Sequence, residues 1–343
     1  MPSVADRIAG LIEAEGGAIR FDRFMHEALY GPDGFYNAGG RAGRGGDFIT
    51  SPEVGPLFGA VVARALDAWW REQGTPVDFR VYEVGAGPGT LARSVLAAEP
   101  ECLRGDPSRY VCVEVGAAQR AMHPEGVDSV DRLPEGELRG VVIANELLDN
   151  LAFRLLVFDG AWRESWVAST GESFQEVLLP LESQPTFALP PRPAHGSRVP
   201  WQCAAGEWVR DVTSRLNGRL VMFDYAVQFT GELANRPWRE WLRTYSSHER
   251  GAHYLRDVGR QDITNDVCID QLTSTCGTPL AVRSQSQWLQ LWGIDDLVSE
   301  GRRVWEAEAS RPSLSAMRMR SRVSEAEALL DPTGLGAFTV IEY

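Results

Sequence analysis

The sequence contains few cysteines and few basic residues. Its five cysteines are scattered over 343 residues and none forms a C-x-x-C pair, so we expect reduced thiols and a cytoplasmic protein. The 34 lysines and arginines are outnumbered by 47 acidic residues, which gives a net charge of −13. A negative overall field repels phosphate backbones. The composition therefore weighs against a nucleic acid as the main partner.

The sequence also lacks the patterns of membrane and exported proteins. It has no uninterrupted apolar run of about 18 residues, no signal-like start and no arginine-rich transit pattern. Hydrophobic residues make up 44% of the chain and charged residues 24%, which is typical of globular proteins. We therefore expect a soluble protein without membrane insertion, built as one large α/β domain with an elaboration or as two lobes.

Apolar runs alternate with helical patterns along much of the chain. Strands are predicted at residues 79–84, 110–115, 140–144 and 219–223. Helices are predicted at about 4–12, 23–30, 51–74, 90–98 and 204–216. Buried strands that alternate with crossovers indicate a parallel, doubly wound sheet, which is a Rossmann-like α/β fold.

The pattern changes after residue 150. Two apolar runs at 153–158 and 162–167 flank Asp159 and Gly160, a pair typical of a tight hairpin turn. Between residues 180 and 200 the chain is rich in proline, which indicates an extended connector. We expect antiparallel strands to be inserted into the parallel fold here.

A glycine-rich turn follows the strand predicted at 79–84. Residues 83–89 read Glu-Val-Gly-Ala-Gly-Pro-Gly. Glycines let the backbone turn tightly and approach a ligand, and the start of the next helix offers unpaired amide donors. The G-x-G-x-G spacing differs from the dinucleotide fingerprint G-x-G-x-x-G. It therefore favours S-adenosylmethionine over a nicotinamide cofactor, with Gly85, Gly87 and Gly89 in the cradle.

An acidic residue, Glu114, ends the next strand, 25 positions after Gly89 (114 minus 89). A carboxylate at this place in the fold can bridge the two hydroxyls of a ribose. The alternative is a solvated carboxylate that has no ligand. Together with the glycine turn, Glu114 favours a nucleoside cofactor.

A polar cluster, Asn145, Glu146, Asp149 and Asn150, follows the strand at 140–144. In open α/β sheets ligands bind at the carboxyl ends of the strands. An amide and two carboxylates there could hold a nitrogen-bearing acceptor and take up its proton. The alternative is that Asn145 and Asp149 cap the following helix.

Many stretches of the chain resemble the MidA family. They are FDRFM at 21–25, ALY at 28–30, GFY at 34–36, GDFITSPE at 46–53, FG at 58–59, the glycine turn, ANELLD at 144–149, FDY at 223–225, LRTY at 242–245 with His248, and DIT at 262–264. MidA proteins are bacterial relatives of the mitochondrial protein arginine methyltransferase that assists assembly of respiratory complex I. The resemblance implies a seven-stranded class I methyltransferase fold with an N-terminal helical segment and an inserted acceptor-cleft subdomain.

The resemblance also implies three domains and a set of site residues. The domains are a helical segment with a cofactor-covering loop at 1–75, a cofactor-binding core at 76–180, and a connector, the remaining core strands and the acceptor elaboration at 181–343. The cofactor would be S-adenosylmethionine, bound by Thr50, Ser51, Pro52, Glu83, Gly85, Gly87, Gly89, Thr90, Leu91, Glu114 and Asn145. The catalytic residues would be Asn145, Glu146 and Asp149. The acceptor would also meet Asp224, Tyr245 and His248.

The implied reaction is methylation of a protein arginine nitrogen. A guanidinium stays protonated at neutral pH, so its methylation calls for a carboxylate pair that orients it and accepts a proton. Glu146 and Asp149 are residues of that type. Whether the protein forms a homodimer stays open.

Four positions depart from the family pattern. The family has an acid at the position of Ser94, a serine after the ribose-binding acid where this chain has Val115 and Gly116, a glycine at Ala226 and an aspartate near Cys268. Two alternatives therefore remain, a methyltransferase of a small-molecule acceptor and a non-catalytic assembly factor that retains the fold. No metal is expected, because His248 and His253 have no third ligand at a recognisable spacing.

Overall fold

The computed structural model describes residues 2–38, 50–171, 173–246, 249–311 and 313–343. The helices in chain order are α1 Val4–Ala14, α2 Phe21–Tyr30, α3 Ser51–Val54, α4 Pro56–Glu72, α5 Thr90–Ala97, α6 Ala117–Arg120, α7 Cys203–Arg215, α8 Thr230–Ala234, α9 Ile269–Cys276, α10 Gln285–Leu291, α11 Ile294–Glu308 and α12 Leu314–Leu330. Among the described residues, no helix combines the length and the apolar character needed to cross a membrane.

The strands in chain order are β1 Ala18–Arg20, β2 Arg80–Val84, β3 Tyr110–Val113, β4 Asp128–Val130, β5 Leu138–Asn145, β6 Arg154–Phe158, β7 Trp162–Ser169, β8 Phe174–Pro180, β9 Arg198–Trp201, β10 Leu216–Asp224, β11 Ala226–Val227, β12 Leu242–Ser246, β13 Glu249–Arg250, β14 Asp262–Asn265, β15 Val267–Cys268, β16 Ala281–Ser284 and β17 Thr339–Glu342.

The chain divides into two compact units that interleave along the sequence. The first unit comprises Met1–Phe48, Glu146–Ser214 and Asp224–Pro279, and the second comprises Ile49–Asn145, Arg215–Phe223 and Leu280–Tyr343. These units cut across the consecutive segments 1–75, 76–180 and 181–343, because the sheets pair strands that lie far apart in the sequence. Composition and local periodicity carry no signal of such pairing.

The described residues of the second unit form a seven-stranded sheet in the order β16-β17-β10-β5-β2-β3-β4. The pairs from β10 to β4 are parallel, and β16 pairs antiparallel with β17. The predicted seven-stranded, mostly parallel sheet is confirmed. Val84 at the end of β2 lies opposite both Val113 and Ala144. The residues that follow β2, β3 and β5 therefore emerge at one edge of this sheet.

One helix predicted in the second unit is broken in the structure. The sequence pattern predicts a continuous helix over 51–74, but α3 ends at Val54 and α4 begins at Pro56. Gly55 between them is extended, with φ of 164°, because the residue before a proline avoids helical dihedral angles. The apolar stripe of α4, which includes Phe58, Val62 and Trp69, is buried as predicted.

The first unit contains the antiparallel strands. Its largest sheet has the order β1-β7-β6-β9, with β8 paired to β7. The predicted hairpin is confirmed, since β6 and β7 pair antiparallel with Phe158 opposite Trp162. The connector predicted over 180–200 is wrong at its end, where β9 includes Pro200 opposite Leu155. Proline is tolerated there because β9 is an edge strand, whose outer face needs no ladder donor.

Two smaller sheets complete the described part of the first unit. Strand β12 pairs antiparallel with β13 and β14, and β11 pairs parallel with β15. All four residues of β14 are buried. Polar residues are thereby placed in the interior of this unit, where each buried polar group needs a hydrogen-bond partner.

Candidate functional site

The glycine turn adopts the backbone shape that its composition predicts. Gly85, Gly87 and Gly89 have φ of 73°, 52° and 79°, in the left-handed region that favours glycine. The N–H groups of Gly85 and Ala86 donate to the carbonyl of Val113 at 3.0 and 3.1 Å. A Cβ at Gly87 would come within 3.2 Å of Gln119 Oε1. The turn is a tight cradle that side chains would fill, which fits a nucleoside cofactor.

The Glu114 carboxylate is built into this turn. Its side chain is 7% exposed, so it is not a solvated strand-end carboxylate. Its Oε2 accepts a hydrogen bond from the Gly87 N–H at 3.0 Å, and Oε1 accepts one from the Gly116 N–H at 2.7 Å. A carboxylate has about four acceptor positions, so acceptor capacity remains for two ribose hydroxyls.

Glu83 supports the turn from the interior of the second unit. It is buried, and it accepts hydrogen bonds from the Tyr110 hydroxyl at 2.7 Å and from the Ala92 N–H in the first turn of α5. Burial raises the pKa of Glu83 to about 8, although both hydrogen bonds oppose the shift. Its proposed contact with cofactor stays a prediction.

Replacing Glu83 by glutamine is expected to flatten the pH dependence of stability. Between about pH 5 and pH 8 Glu83 is ionised in the unfolded chain and protonated in the folded one, so the free energy of unfolding falls as pH rises. For a pKa raised from 4.5 to about 8, this loss is about 3 kcal/mol over that range. Denaturant unfolding of both proteins at several pH values tests it. If the free energy of unfolding changed with pH in the same way for the wild type and for Glu83→Gln, the raised pKa of Glu83 would be contradicted.

The segment before α4 is anchored by side chains of the second unit. Thr50, Ser51 and Pro52 are all buried, and the Ser51 hydroxyl donates to Gln285 Oε1 at 2.8 Å. The Ser51 hydroxyl therefore stabilises α3, and contact of these residues with cofactor stays a prediction. The first residues of the GDFITSPE stretch, 46–49, lie outside the described residues.

Thr90 and Leu91 begin the helix behind the turn. The Thr90 hydroxyl donates to Glu53 Oε1 at 3.2 Å, which ties α5 to α3. The Leu91 side chain is 1% exposed and belongs to the hydrophobic core. Only the backbone of Leu91 is therefore suited to meet a ligand.

His123 is a supporting residue that the sequence does not indicate. Its Nε2 lies 2.9 Å from the Gly87 carbonyl oxygen, and its Nδ1 lies 2.8 Å from Ser129 Oγ. Burial lowers the pKa of His123, so the ring is neutral at pH 7 and joins the turn to β4. No local motif marks this histidine, because its partners are fixed by the pairing of β3 with β4.

The predicted catalytic cluster is divided by the boundary between the units. Asn145 ends β5 opposite Phe223 in the second unit, and Glu146 begins the next segment of the first unit. Glu146 has φ of 52°. A left-handed non-glycine backbone costs about 1–3 kcal/mol and is typical of functional sites.

Asp149 is held against Asp224 within the first unit. It lies inside the 3-10 helix Leu148–Asn150, so it does not cap a following helix. The N–H groups of Leu148 and Asp149 donate to Asp224 Oδ2 at 2.9 and 3.3 Å, and the Tyr225 N–H donates to Oδ1 at 2.9 Å. Asp149 and Asp224 are each 1% exposed. Asp149 Oδ1 has no hydrogen-bond partner among the described residues.

Burial and neighbouring acidic groups raise the pKa of both carboxyls. Burial, followed by the charges of Asp224 and Asp262, raises the pKa of Asp149 well above its ordinary value. Burial and the charge of Glu146 do the same to the pKa of Asp224, against the three backbone hydrogen bonds. A site with buried carboxyls of raised pKa favours a cation, because a nearby positive charge stabilises the ionised form.

The predicted residue Tyr245 and two charged residues, Arg243 and Asp266, also belong to this part of the first unit. Tyr245 lies on β12 opposite Asp262. Arg243 on the same strand donates to Asp266 Oδ1 at 2.7 Å, and its guanidinium carbon lies 4.8 Å from the centroid of the Tyr225 ring. His248 lies outside the described residues. Arg243 and Asp266 were not predicted as site residues, since each alone resembles an ordinary surface charge.

A chain of buried amides positions the backbone of Asp149. Asn265 Nδ2 donates to the Asp149 carbonyl at 2.6 Å, and Gln202 Nε2 donates to Asn265 Oδ1. Gln202 also accepts from the Cys268 N–H at 2.8 Å, and its own N–H donates to Gln271 Oε1 at 2.8 Å. Asn265 is fully buried. Asn265 and Gln202 therefore hold the backbone of Asp149 in place, a contact that the sequence pattern did not reveal.

Replacing Asn265 by alanine is expected to lower kcat about 10-fold to 10²-fold, because it frees the Asp149 carbonyl and a misplaced catalytic group reacts slowly. The affinity for cofactor should not change, since the cradle lies in the second unit. Gln271→Ala is the matched control, because it removes an equally buried amide at the far end of the same chain. Equal losses of kcat in both variants would show a merely structural role.

Comparison with known proteins identifies the family. A family model described as "Putative S-adenosyl-L-methionine-dependent methyltransferase" matches residues 61–285. The chain belongs to this family. It is an S-adenosyl-L-methionine-dependent methyltransferase, and the resemblance to the MidA family is confirmed.

Several relatives of the methyltransferase are known. The chain is 31% identical over 180 residues to the protein arginine methyltransferase NDUFAF7 homolog, mitochondrial, of Drosophila melanogaster, an alignment that covers 43% of this chain and 41% of that one. The chain thus spans less than half of that relative. It is 24% identical over 340 residues to the NDUFAF7 protein of Danio rerio, covering 85% of this chain and 77% of that one.

A solved structure shares the whole fold of the methyltransferase. A protein from Burkholderia thailandensis, crystallised with S-adenosyl-homocysteine, superposes with a TM-score of 0.83 at 28% identity, covering 99% of this chain and 91% of that one. The class I methyltransferase fold is therefore shown. The roles of individual site residues in this methyltransferase stay predictions.

Proposed function

We propose that this methyltransferase transfers a methyl group to a nitrogen of a protein arginine side chain. Two observations support the acceptor. Relatives from fly and fish are named protein arginine methyltransferases. The first unit holds buried carboxyls, Asp149 and Asp224, and one oxygen of Asp149 has no partner among the described residues. That unused acceptor in a buried acidic cluster is the observation that carries the proposal.

The residues proposed to bind the cofactor lie in the second unit. S-adenosylmethionine, when bound, supplies an electrophilic methyl group on sulfur and leaves as S-adenosylhomocysteine. Gly85, Gly87 and Gly89 let the backbone approach it closely. Glu114 would accept hydrogen bonds from the ribose hydroxyls and so orient the nucleoside.

The residues proposed to bind the acceptor form an acidic cluster in the first unit, which includes Asp149 and Asp224. A guanidinium that docks against Asp149 lowers the pKa of this carboxyl, because opposite charges stabilise each other. Asp149 then loses its proton to solvent and becomes a charged acceptor. The carboxylate orients the guanidinium through charge-assisted hydrogen bonds. It accepts the proton that the nitrogen must lose as it forms the new bond to carbon.

The location of the protein stays a prediction. The sequence favours the cytoplasm, and the relatives from fly and fish are named mitochondrial. We also propose that the acceptor is a polypeptide rather than a nucleic acid, since the chain carries a net charge of −13.

Methyl-labelled S-adenosylmethionine and a cell extract test the proposal. After incubation, the extract is separated into proteins and small molecules, and the proteins are hydrolysed to amino acids. The proposal predicts label in methylated arginine, and an initial rate of labelling at least about 10²-fold lower with Asp149→Asn. Label in a small molecule would show the alternative acceptor. Cofactor binding without transfer to any fraction would favour an assembly factor.

A further inference from the structure

A small cavity lies beside β12 in the first unit. Its volume is about 90 Å³, and its wall includes three arginines, Arg239, Arg243 and Arg250, and three aromatic rings, Trp238, His253 and Tyr254. Pockets that bind cofactors and drug-sized ligands have volumes of about 300–1,000 Å³. The cavity has room for one small polar group and not for a whole ligand.

The wall of this cavity is positively charged although the protein is acidic. None of its lining residues that the structure describes is a carboxylate, in a chain of net charge −13. Arg239 and Arg250 have no carboxylate within ion-pair distance in the described part of the chain. The Arg239 guanidinium carbon lies 4.4 Å from the Trp238 ring centroid, and Arg250 Nη1 donates to the Arg239 carbonyl at 2.8 Å. Both side chains are exposed, and neither of these contacts involves a carboxylate.

Arg243 supplies the buried part of the wall. Its side chain is 9% exposed. Nη1 donates to Asp266 Oδ1 at 2.7 Å and to the Glu240 carbonyl at 2.9 Å. Nη2 is buried and has no hydrogen-bond partner within the described ranges. A buried guanidinium nitrogen without an acceptor costs free energy, and an oxyanion that reached it would recover part of that cost.

Arg243 also connects the cavity to the acidic cluster. The residue lines the cavity, and its charge acts on Asp149 and lowers the pKa of that carboxyl. In β12 it pairs with Thr264 of β14, two positions after Asp262. A basic cavity and an acidic cluster therefore lie within electrostatic range of each other in one unit.

We infer that this cavity, hereafter the carboxylate pocket, binds a carboxylate of the methyl acceptor while the acidic cluster binds its guanidinium. The inference rests on the proposed function and names the substrate class, an acceptor that carries an acidic group near the target nitrogen. In a polypeptide the group is an aspartate or glutamate side chain close to the arginine. In a small acceptor it is the carboxylate of a guanidino acid.

Paired peptides test the inference. Each has about ten residues and one arginine, with glutamate or glutamine one to four positions away. The wild-type protein is expected to show a kcat/KM about tenfold higher for the best glutamate peptide than for its glutamine partner, and added salt should reduce the ratio. Arg239→Gln with Arg250→Gln should bring the ratio close to one. Arginine compared with argininamide distinguishes a free carboxylate from a side-chain one.

Two controls separate the pocket from the methyl-transfer reaction. Arg192→Gln with Arg210→Gln removes the same charge from exposed positions of the first unit that do not line the pocket, and it should keep the preference. Calorimetric titration with an arginine-free glutamate tripeptide measures binding to the carboxylate pocket without requiring methyl transfer. Tripeptide binding that the Arg239 and Arg250 variant loses, without methylation of any peptide, would support the pocket and refute the arginine acceptor. Equal kcat/KM values for the glutamate and glutamine peptides, together with no tripeptide binding, would overturn the inference.

Discussion

Replacing Asp149 by asparagine is expected to lower kcat for methyl transfer about 10²-fold to 10⁴-fold, the usual contribution of a general base. Asparagine keeps the volume of the side chain and can still accept a hydrogen bond, but it cannot accept the proton. The buried Oδ1 without a partner among the described residues makes Asp149 the carboxyl best placed for that role. Steady-state rates with an arginine-containing peptide that the wild-type protein methylates measure the effect.

The pH dependence of the wild-type protein gives an independent signature. Because burial and neighbouring carboxyls raise the pKa of Asp149, guanidinium binding is expected to release its proton, so KM for the acceptor should fall as pH rises. Asp149→Asn should remove this dependence. Asp257→Asn, at an exposed position, is the matched control and should behave as wild type. An Asp149→Asn variant that keeps full activity would exclude Asp149 as the proton acceptor.

Replacing Glu114 by alanine is expected to weaken S-adenosylmethionine binding about 10²-fold. The change removes the acceptor of two ribose hydroxyls, and hydrogen bonds to a charged group contribute about 1.5–3 kcal/mol each. It also leaves the N–H groups of Gly87 and Gly116 without their carboxylate. Glu114→Gln should be milder, about tenfold, because the amide retains one acceptor oxygen. Calorimetric titration measures both affinities.

The control for Glu114 is Asp131→Ala, which removes an exposed carboxylate beyond the end of β4 in the same unit. Its affinity for cofactor should match that of the wild type. A wild-type affinity in Glu114→Ala would show that the ribose lies elsewhere.

The fold was largely predictable because its strongest signals are local. The β2–turn–α5 segment is marked by three glycines whose left-handed angles the composition implies, and the hairpin of β6 and β7 is marked by Asp159 and Gly160. The break before Pro56 and the edge strand that contains Pro200 were not predicted correctly. In each case proline acts through its neighbours, and its effect depends on the tertiary position of the segment.

The site was predictable only in part. Glu114 and Asp149 lie just after β3 and β5, where position along the sequence is enough to suggest a role. Asn265, His123 and Arg243 act through partners that lie far away in the sequence, such as the 36 positions between His123 and Gly87. Such contacts follow from the packing of the units and leave no periodic or motif signal.

The most direct test is a crystal structure of the protein with S-adenosylhomocysteine and an arginine-containing peptide. A guanidinium nitrogen is expected at hydrogen-bond distance, about 3 Å, from Asp149 Oδ1. A guanidinium bound away from Asp149, with that oxygen still lacking a partner, would exclude Asp149 as the residue that binds the acceptor.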